Sequence, residues 1–267
     1  MVVARQDIYD LISNKFDRKK TEALIIDAER FKTYDEVFDR QNLDNIYHLM
    51  KRGLIDTLEC PISTGKEANV YKANTSEGAA AVKIFRTSTA TFRAFLQYIE
   101  GDRRFDRIDR SRRGIIYTWA RKEYMNLEEA NLEGIRVPEP KALHKNILVM
   151  GYIDYQGKPA PSLKELDADK EEWSQMWYTV KDWTTRMVKK CKLIHSDLSE
   201  YNILYDDDPV FIDLGQAVEY HHPMALEFLK RDLRVISNFF KKKGIKEAEG
   251  DSESLYRELS EHVIENK

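Results

Sequence analysis

Leu193-Ile194-His195-Ser196-Asp197-Leu198-Ser199-Glu200-Tyr201-Asn202-Ile203-Leu204-Tyr205 is followed, after a short acidic run, by Phe211-Ile212-Asp213-Leu214-Gly215. The stretch holds a carboxylate, an amide five residues later and a second carboxylate eleven residues beyond that. Ile203-Leu204-Tyr205 has the pattern of a strand, Asp206-Asp207-Asp208-Pro209 that of a turn, and Val210-Phe211-Ile212 that of a returning strand. Arms of equal length predict Asn202 and Asp213 side by side at the hairpin base, where cross-strand neighbours lie about 5 Å apart. An amide oxygen and a carboxylate so placed are hard ligands suited to Mg²⁺, an ion that keeps several waters and takes phosphate oxygens. Asp197 lies close enough ahead of the first strand to face a substrate of that ion. A single Asp or Asn is ordinarily a turn or cap residue. The spaced set between apolar strands is what points to chemistry.

Bulk composition narrows the field. The 267 residues suit one domain of two lobes or two small domains, with a sizeable core. A net charge of −3 gives no overall nucleic-acid signature, so any basic surface must be local, and DNA is not an expected partner. No apolar run reaches the roughly 18–20 residues of a membrane span, and Met1 to Arg5 does not open a signal peptide. Cys60 and Cys191 have no metal-type spacing and suit small core residues better than a disulfide. The expectation is a soluble cytoplasmic protein.

Residues 1–50 are polar and helix-like. Asp7–Ile12 offers one amphipathic turn, Lys15–Lys20 a mixed-charge connector, and Thr33–Glu36 a capping start for a helix with Val37, Leu43, Ile46, Tyr47 and Met50 as apolar positions. From Leu54 the pattern changes to a β-meander: Leu54–Ile62, a small-residue turn at Ser63-Thr64-Gly65-Lys66, a strand to Ala73, a turn at Ser76-Glu77-Gly78, and Ala79–Phe85. The first turn can lay backbone N–H groups and the Ser63 and Thr64 hydroxyls over phosphates. With one glycine, and Glu67 after Gly65-Lys66, it is neither a G-x-G-x-x-G loop nor a Walker A loop; an ordinary hairpin turn is the simpler reading on its own.

Lys83 interrupts an apolar strand, where an ammonium is costly unless paired. The next helix supplies a partner. Over Ile115 to Leu132, residues Ile116, Ala120, Glu123, Leu127 and Ala130 form one stripe, with Lys122, Glu128 and Glu129 off it. A structural ion pair is the competing reading. Between Lys83 and that helix, Arg86–Gly114 reads as an insert, first Thr/Ser-rich, then carrying six Arg against three Asp over 101–114. It suits a flexible loop with a Ser or Thr for self-phosphorylation, a contact for ribosomal RNA or another acidic partner, or simply a solvated loop.

Asn146–Met150 is an apolar strand that emerges into Gly151-Tyr152-Ile153, where a connection between lobes can meet a nucleotide base through backbone groups. Gly157-Lys158-Pro159-Ala160-Pro161 punctuates the start of a second lobe. Glu171–Cys191 is a helix whose Trp173, Trp177, Val180, Trp183 and Met187 face the core. Pro223–Phe240 is an amphipathic helix ended by Lys241-Lys242-Lys243-Gly244, and a last helix runs from about Ser252 to Ile264.

The chain resembles the RIO family of atypical serine/threonine protein kinases, nearest its RIO1-like branch. The resemblance rests on S-T-G-K-E-A-N-V-Y at 63–71, A-V-K-I-F at 81–85, P-A-P-S-L-K at 159–164, H-S-D-L-S-E-Y-N-I-L at 195–204 and I-D-L-G-Q-A-V at 212–218. It implies an α+β, two-lobed protein-kinase-like fold. A helical N-terminal extension (1–50) would precede an N-lobe of antiparallel sheet plus helix (51–153, with a flexible insert at about 86–114) and a reduced, mostly helical C-lobe (154–267). It further implies ATP in the cleft, Asp197 as catalytic base, Asn202 and Asp213 on Mg²⁺ (Mn²⁺ as an alternative), and Lys83 on phosphate, held by Glu123. Ser63 and Thr64 would lie over the phosphates, and the backbone of Met150, Gly151 and Ile153 along the adenine. Gly151 departs from the acidic residue expected there.

No A-P-E motif follows Asp213, and the 54 residues after it are too few for an activation segment plus a peptide-docking platform. The family association is with maturation of the small ribosomal subunit, so a pre-small-subunit particle is the implied partner. Two mechanisms stay open: transfer to a Ser hydroxyl, or an ATPase switch in which water or Asp213 takes the phosphoryl group. Two other classes compete: a small-molecule phosphotransferase of the aminoglycoside or choline kinase kind, and a non-catalytic ribosome-binding scaffold.

Overall fold

The computed structural model describes residues 40–87 and 90–267; the features expected at Asp7–Ile12, Lys15–Lys20 and Thr33–Glu36, together with Ser88 and Thr89, lie outside the described residues. The chain divides into two compact units, one of residues up to Phe92 with Pro140–Tyr152, the other of Arg93–Glu139 with Ile153–Lys267.

The first unit is built on alternation. Strands β1 (Thr57–Thr64), β2 (Ala68–Thr75), β3 (Gly78–Phe85), β4 (Pro140–His144) and β5 (Ile147–Gly151) form an antiparallel sheet in the order β1-β2-β3-β5-β4. Because strand side chains alternate between faces, Tyr71, Ala73, Ala80, Val82, Ile84, Ile147 and Val149 share one buried face, which packs with Ile46 and Leu49 of helix α1 (Arg40–Lys51) and with Ile55 and Leu58. A polar latch joins helix and sheet. The buried Asn146 accepts from Asn45 at 3.1 Å and donates to Asn42 and to the Phe85 carbonyl, both at 2.8 Å.

The second unit is mostly helical: α2 (Arg112–Leu132), α3 (Lys170–Lys189), α4 (Ala225–Lys242) and α5 (Ala248–Glu265). Helix α3 starts in a capping box, Asp169 accepting from Glu171 and Glu172 N–H while Glu172 reaches back to the Asp169 N–H. Its aromatic stripe is core, as its spacing predicts: Trp173 and Trp177 pack against Phe240 of α4. Cys191 is likewise a buried free thiol, pushed up to about 12 by burial. Among the described residues no helix is long and apolar enough to cross a membrane.

Two features differ from the sequence reading. The segment before α2 is not a solvated loop along its length: Phe95, Tyr98, Ile99, Asp102 and Phe105 are buried, and Phe95 stacks on Trp119 at 4.2 Å. Gly101 sits at φ +93, and a Cβ there would stand 2.8 Å from the Pro223 ring, so this close approach requires glycine. In helix α2 the predicted stripe (Ile116, Ala120, Glu123, Leu127, Ala130) is buried, but so is a second one of Ile115, Trp119, Lys122 and Asn126. The helix is covered on two sides. Lys122, expected off the buried face, is fully enclosed.

Candidate active site

In the first unit the register aligns the expected nucleotide-binding residues. Ser63 pairs with Val70, Val70 with Lys83, and Lys83 with Leu148, a single row across four strands. Ala81 pairs with Met150 and Ala80 with Gly151 on the neighbouring rows. Ser63, Val70, Ala81, Lys83, Leu148 and Met150 therefore share the face opposite the α1-covered core. Ser63 and Thr64 are exposed at the end of β1, where Gly65 N–H donates to the Ala68 carbonyl at 2.9 Å and closes the turn. Lys83 is 8% exposed, its Nζ 5.2 Å from the centre of the Phe85 ring.

In the second unit the loop from His195 to Asn202 hangs between two short pairings. Leu193–Ile194 pairs with Val218–Glu219, and β6 (Ile203–Asp206) pairs with β7 (Asp208–Phe211). The hairpin turns more tightly than its sequence implies, around Asp207 at φ 56. Ile203 consequently faces Phe211, and the Ile212 N–H donates to the Asn202 carbonyl at 3.0 Å. Asn202 thus faces Ile212 rather than Asp213, a shift of one residue from the expected register. Asp213 follows in the left-handed region (φ 62, ψ 53), a conformation that costs a non-glycine residue on the order of 1–3 kcal/mol and is held by its surroundings.

Asp197, Asn202 and Gln216 meet directly. Asn202 Nδ2 donates to the Asp197 carbonyl at 2.8 Å and to Asp197 Oδ2 at 3.1 Å, and Gln216 Nε2 donates to the same Oδ2 at 3.1 Å. Burial, then the negative charge of Asp213, raises the Asp197 carboxyl above its usual range, against the Asn202 hydrogen bond and Arg231. The Asn202 amide nitrogen is committed to Asp197, which leaves its carbonyl oxygen for a cation. An amide oxygen with the exposed Asp213 carboxylate suits Mg²⁺, whose remaining ligands are waters and phosphate oxygens. Among the described residues no group of three or more His, Cys, Asp or Glu forms a metal cage, and this donor set does not need one.

Buried groups hold the loop from beneath. Asp232 of α4, 2% exposed, accepts from Ser196 N–H at 2.7 Å and Leu198 N–H at 3.2 Å. Burial pushes its carboxyl up to about 7 against those two bonds. Arg231 donates to the Ser196 carbonyl. His195 is buried with Nε2 3.2 Å from the Ile212 carbonyl, and desolvation takes its imidazole down to about 4. It is neutral near pH 7 and joins the loop to β7. On α2, Asn126 donates to the carbonyls of Leu214 (2.7 Å) and Ala217 (3.0 Å), and Lys122 donates to the Ala217 carbonyl and lies 3.7 Å from Asp102. Burial takes the Lys122 ammonium down to about 7, opposed by Asp102. Glu123 lies by the same turn: a Cβ on Gly215 would be 3.1 Å from its Oε2.

A family profile describing the RIO domain matches residues 69–253. This chain belongs to the RIO family. The match covers Lys83, Glu123, Met150, Gly151, Ile153, Asp197, Asn202 and Asp213 and begins beyond Ser63 and Thr64. The RIO-type serine/threonine-protein kinase Rio1 of Haloferax volcanii is 42% identical over 94% of this chain and 86% of its own length. The protein of that name from Methanocaldococcus jannaschii is 40% identical over 81% and 74%. Human serine/threonine-protein kinase RIO1 is 38% identical over 78% of this chain but only 37% of its own. Among solved structures, the Rio2 kinase of Chaetomium thermophilum superposes with a TM-score of 0.61 at 24% identity, covering 77% of this chain and 63% of that one. Its ADP/Mg²⁺-phosphoaspartate complex superposes with a TM-score of 0.60 at 19% identity, covering 88% and 78%. At those identities the structures speak for the fold alone, and the fold is the kinase-like α+β one expected. RIO membership sets aside the small-molecule phosphotransferase reading.

Within the RIO chain, Asp197, Asn202 and Asp213 gather in the second unit with Glu123 beside Gly215, while Ser63, Lys83, Met150 and Gly151 share one sheet of the first. Sequence reasoning missed Gln216, Asp232, Lys122 and Asn126. Asp232 was signalled: it falls on the apolar stripe of α4 between Leu229 and Leu233, where a charged residue asks for partners. Gln216 gave no local signal.

Proposed function

We propose that this RIO-family chain is a Mg²⁺- and ATP-dependent phosphotransferase whose roles follow the motif residues. The observation that carries it is the Asp197–Asn202–Gln216 contact beside Asp213. There a carboxylate of raised basicity lies next to an oxygen donor set suited to a nucleotide-bound Mg²⁺. Asn202 and Asp213 would hold that ion (or Mn²⁺), which when bound neutralises phosphate charge. Lys83 would bind the phosphates with Glu123 as its partner, Ser63 and Thr64 would cover them, and the backbone of Met150, Gly151 and Ile153 would meet the adenine. The division at 50/51 and 153/154 into extension, N-lobe and C-lobe belongs to the same reading.

In transfer to a hydroxyl, Asp197 accepts the Ser proton as the oxygen attacks the γ-phosphorus and the bond to the β,γ-bridging oxygen breaks, releasing ADP. In the ATPase cycle, the Asp213 carboxylate makes that attack; water, losing a proton to Asp197, then cleaves the aspartyl phosphate. The Chaetomium Rio2 complex is named as a phosphoaspartate complex, and the second route would form that same linkage here at Asp213. Self-phosphorylation on the 87–111 stretch, action on a pre-small-subunit ribosomal particle with contact to its RNA, and a cytoplasmic location complete the proposal.

Calorimetric titration with ATP, with and without Mg²⁺, tests it. Mg²⁺-dependent binding that Asp213→Ala weakens at least tenfold is the expected result. Binding by neither protein would leave a non-catalytic scaffold.

A further inference from the structure

Two amide side chains reach Asp197, and they come from different places. Asn202 is local, five residues on, and also binds the Asp197 carbonyl. Gln216 arrives from across the loop, 19 residues away. A carboxylate only accepts, so the group that Gln216 turns toward it is its NH₂. Both donors fall on Oδ2, and among the described residues no donor reaches Oδ1. A general base works within about 2.6–3.2 Å of the proton it takes, and a displacement of about 1 Å can cost 10²-fold. Which oxygen stays open, and where it points, therefore matters.

The position of Gln216 is itself fixed. It ends the short turn Leu214–Gln216 that leaves the left-handed Asp213. The carbonyls flanking it, Leu214 and Ala217, are gripped by the buried Asn126 and Lys122 of α2. Beyond it, Val218–Glu219 pairs with Leu193–Ile194, the strand that leads into the Asp197 loop. Gln216 is thus delivered to Asp197 by backbone anchored on both sides.

We propose that Gln216 is a positioning residue for Asp197: with Asn202 it clamps Oδ2, fixes the carboxylate plane, and leaves Oδ1 as the oxygen that takes the acceptor's proton. This rests on the reading of Asp197 as proton acceptor. Losing one hydrogen bond to a charged group predicts a fall in kcat of about 10–100-fold.

The test compares wild type, Gln216→Met, Gln216→Glu and Asp197→Asn in the full chain, measuring kcat and KM for ATP, the affinity for a fluorescent ATP analogue, and the thermal midpoint. Methionine keeps the length without the donor; glutamate keeps the shape and sets a carboxylate against a carboxylate. The expected result is kcat falling in the order wild type, Gln216→Met, Gln216→Glu, with nucleotide affinity within about twofold and the thermal midpoint unmoved in both variants. Wild-type kcat in Gln216→Met, or equal losses in the two variants accompanied by a lowered midpoint, would overturn the proposal. Wild-type turnover by Asp197→Asn would instead overturn the assignment of Asp197 on which it stands.

Discussion

The sheet unit and the loop unit place their candidate site residues by different means. In the sheet, Ser63, Lys83 and Met150 come to one face because β-strands alternate; short hairpins set the Ser63–Val70–Lys83 register, and β5 then pairs with β3 through Lys83 and Leu148. In the loop unit the decisive contacts are side chain to backbone over long separations: Asp232 to Ser196 across 36 residues, Asn126 to Leu214 across 88, Lys122 to Ala217 across 95. The sheet positions its residues by periodicity. The loop is held by buried polar groups, each costly to leave unmatched.

That contrast predicts where substitution hurts chemistry, where it hurts folding, and where it hurts neither. Asp197→Asn in the loop unit lowers single-turnover phosphoryl transfer by about 10²–10⁴-fold with ATP affinity unchanged, as read by rapid quench. Asp232→Ala leaves two buried N–H groups unmatched and lowers unfolding free energy by about 2–5 kcal/mol in urea melts; a loss under about 1 kcal/mol would mean that the loop holds itself. Lys83→Met in the sheet unit strikes nucleotide use: it lowers kcat/KM for ATP by about 10–100-fold, as read by steady-state kinetics.

The last effect concerns pH. Asp232 sits at about 7 folded, against an ordinary value of 3.8. Between those values the folded chain holds the extra proton, so this group's contribution to stability rises as pH falls through 7 and is complete below about 4. His195, lowered to about 4 from 6.5, works in the opposite sense, and its contribution is lost as pH falls from 6.5 toward 4. Asp232→Asn removes the first effect. The stability of wild type relative to that variant should therefore grow by about 1 kcal/mol per pH unit from pH 7 to 4; a difference independent of pH would show that Asp232 does not titrate in this window.

Legibility in the sequence follows the same divide. The meander, the buried Lys83, the aromatic core of α3 and the Asp197–Asn202–Asp213 spacing are local patterns and were readable. The hairpin register was readable to within one residue, because three successive Asp leave the turn position open until Asp207 takes the left-handed conformation. The second buried face of α2 was not readable. Lys122 resembles a surface lysine until Asp102 and the Ala217 carbonyl are brought to it by tertiary packing. The burial of Phe95, Tyr98 and Phe105 was hidden for a related reason, since a charged stretch with scattered aromatics has no single period. Gln216 stood in the quoted motif without a role, because its partner is fixed only once the turn after Asp213 is anchored.

The most direct test of the account is the fate of the γ-phosphate in one turnover of labelled ATP with Mg²⁺ and the purified chain, alone and with small ribosomal subunits. The account predicts that label leaves ATP and is found on Ser or Thr, in a hydroxylamine-labile protein adduct at Asp213, or as free phosphate, and that Asp197→Asn slows its departure. ATP recovered intact from the wild-type protein in both settings would contradict it.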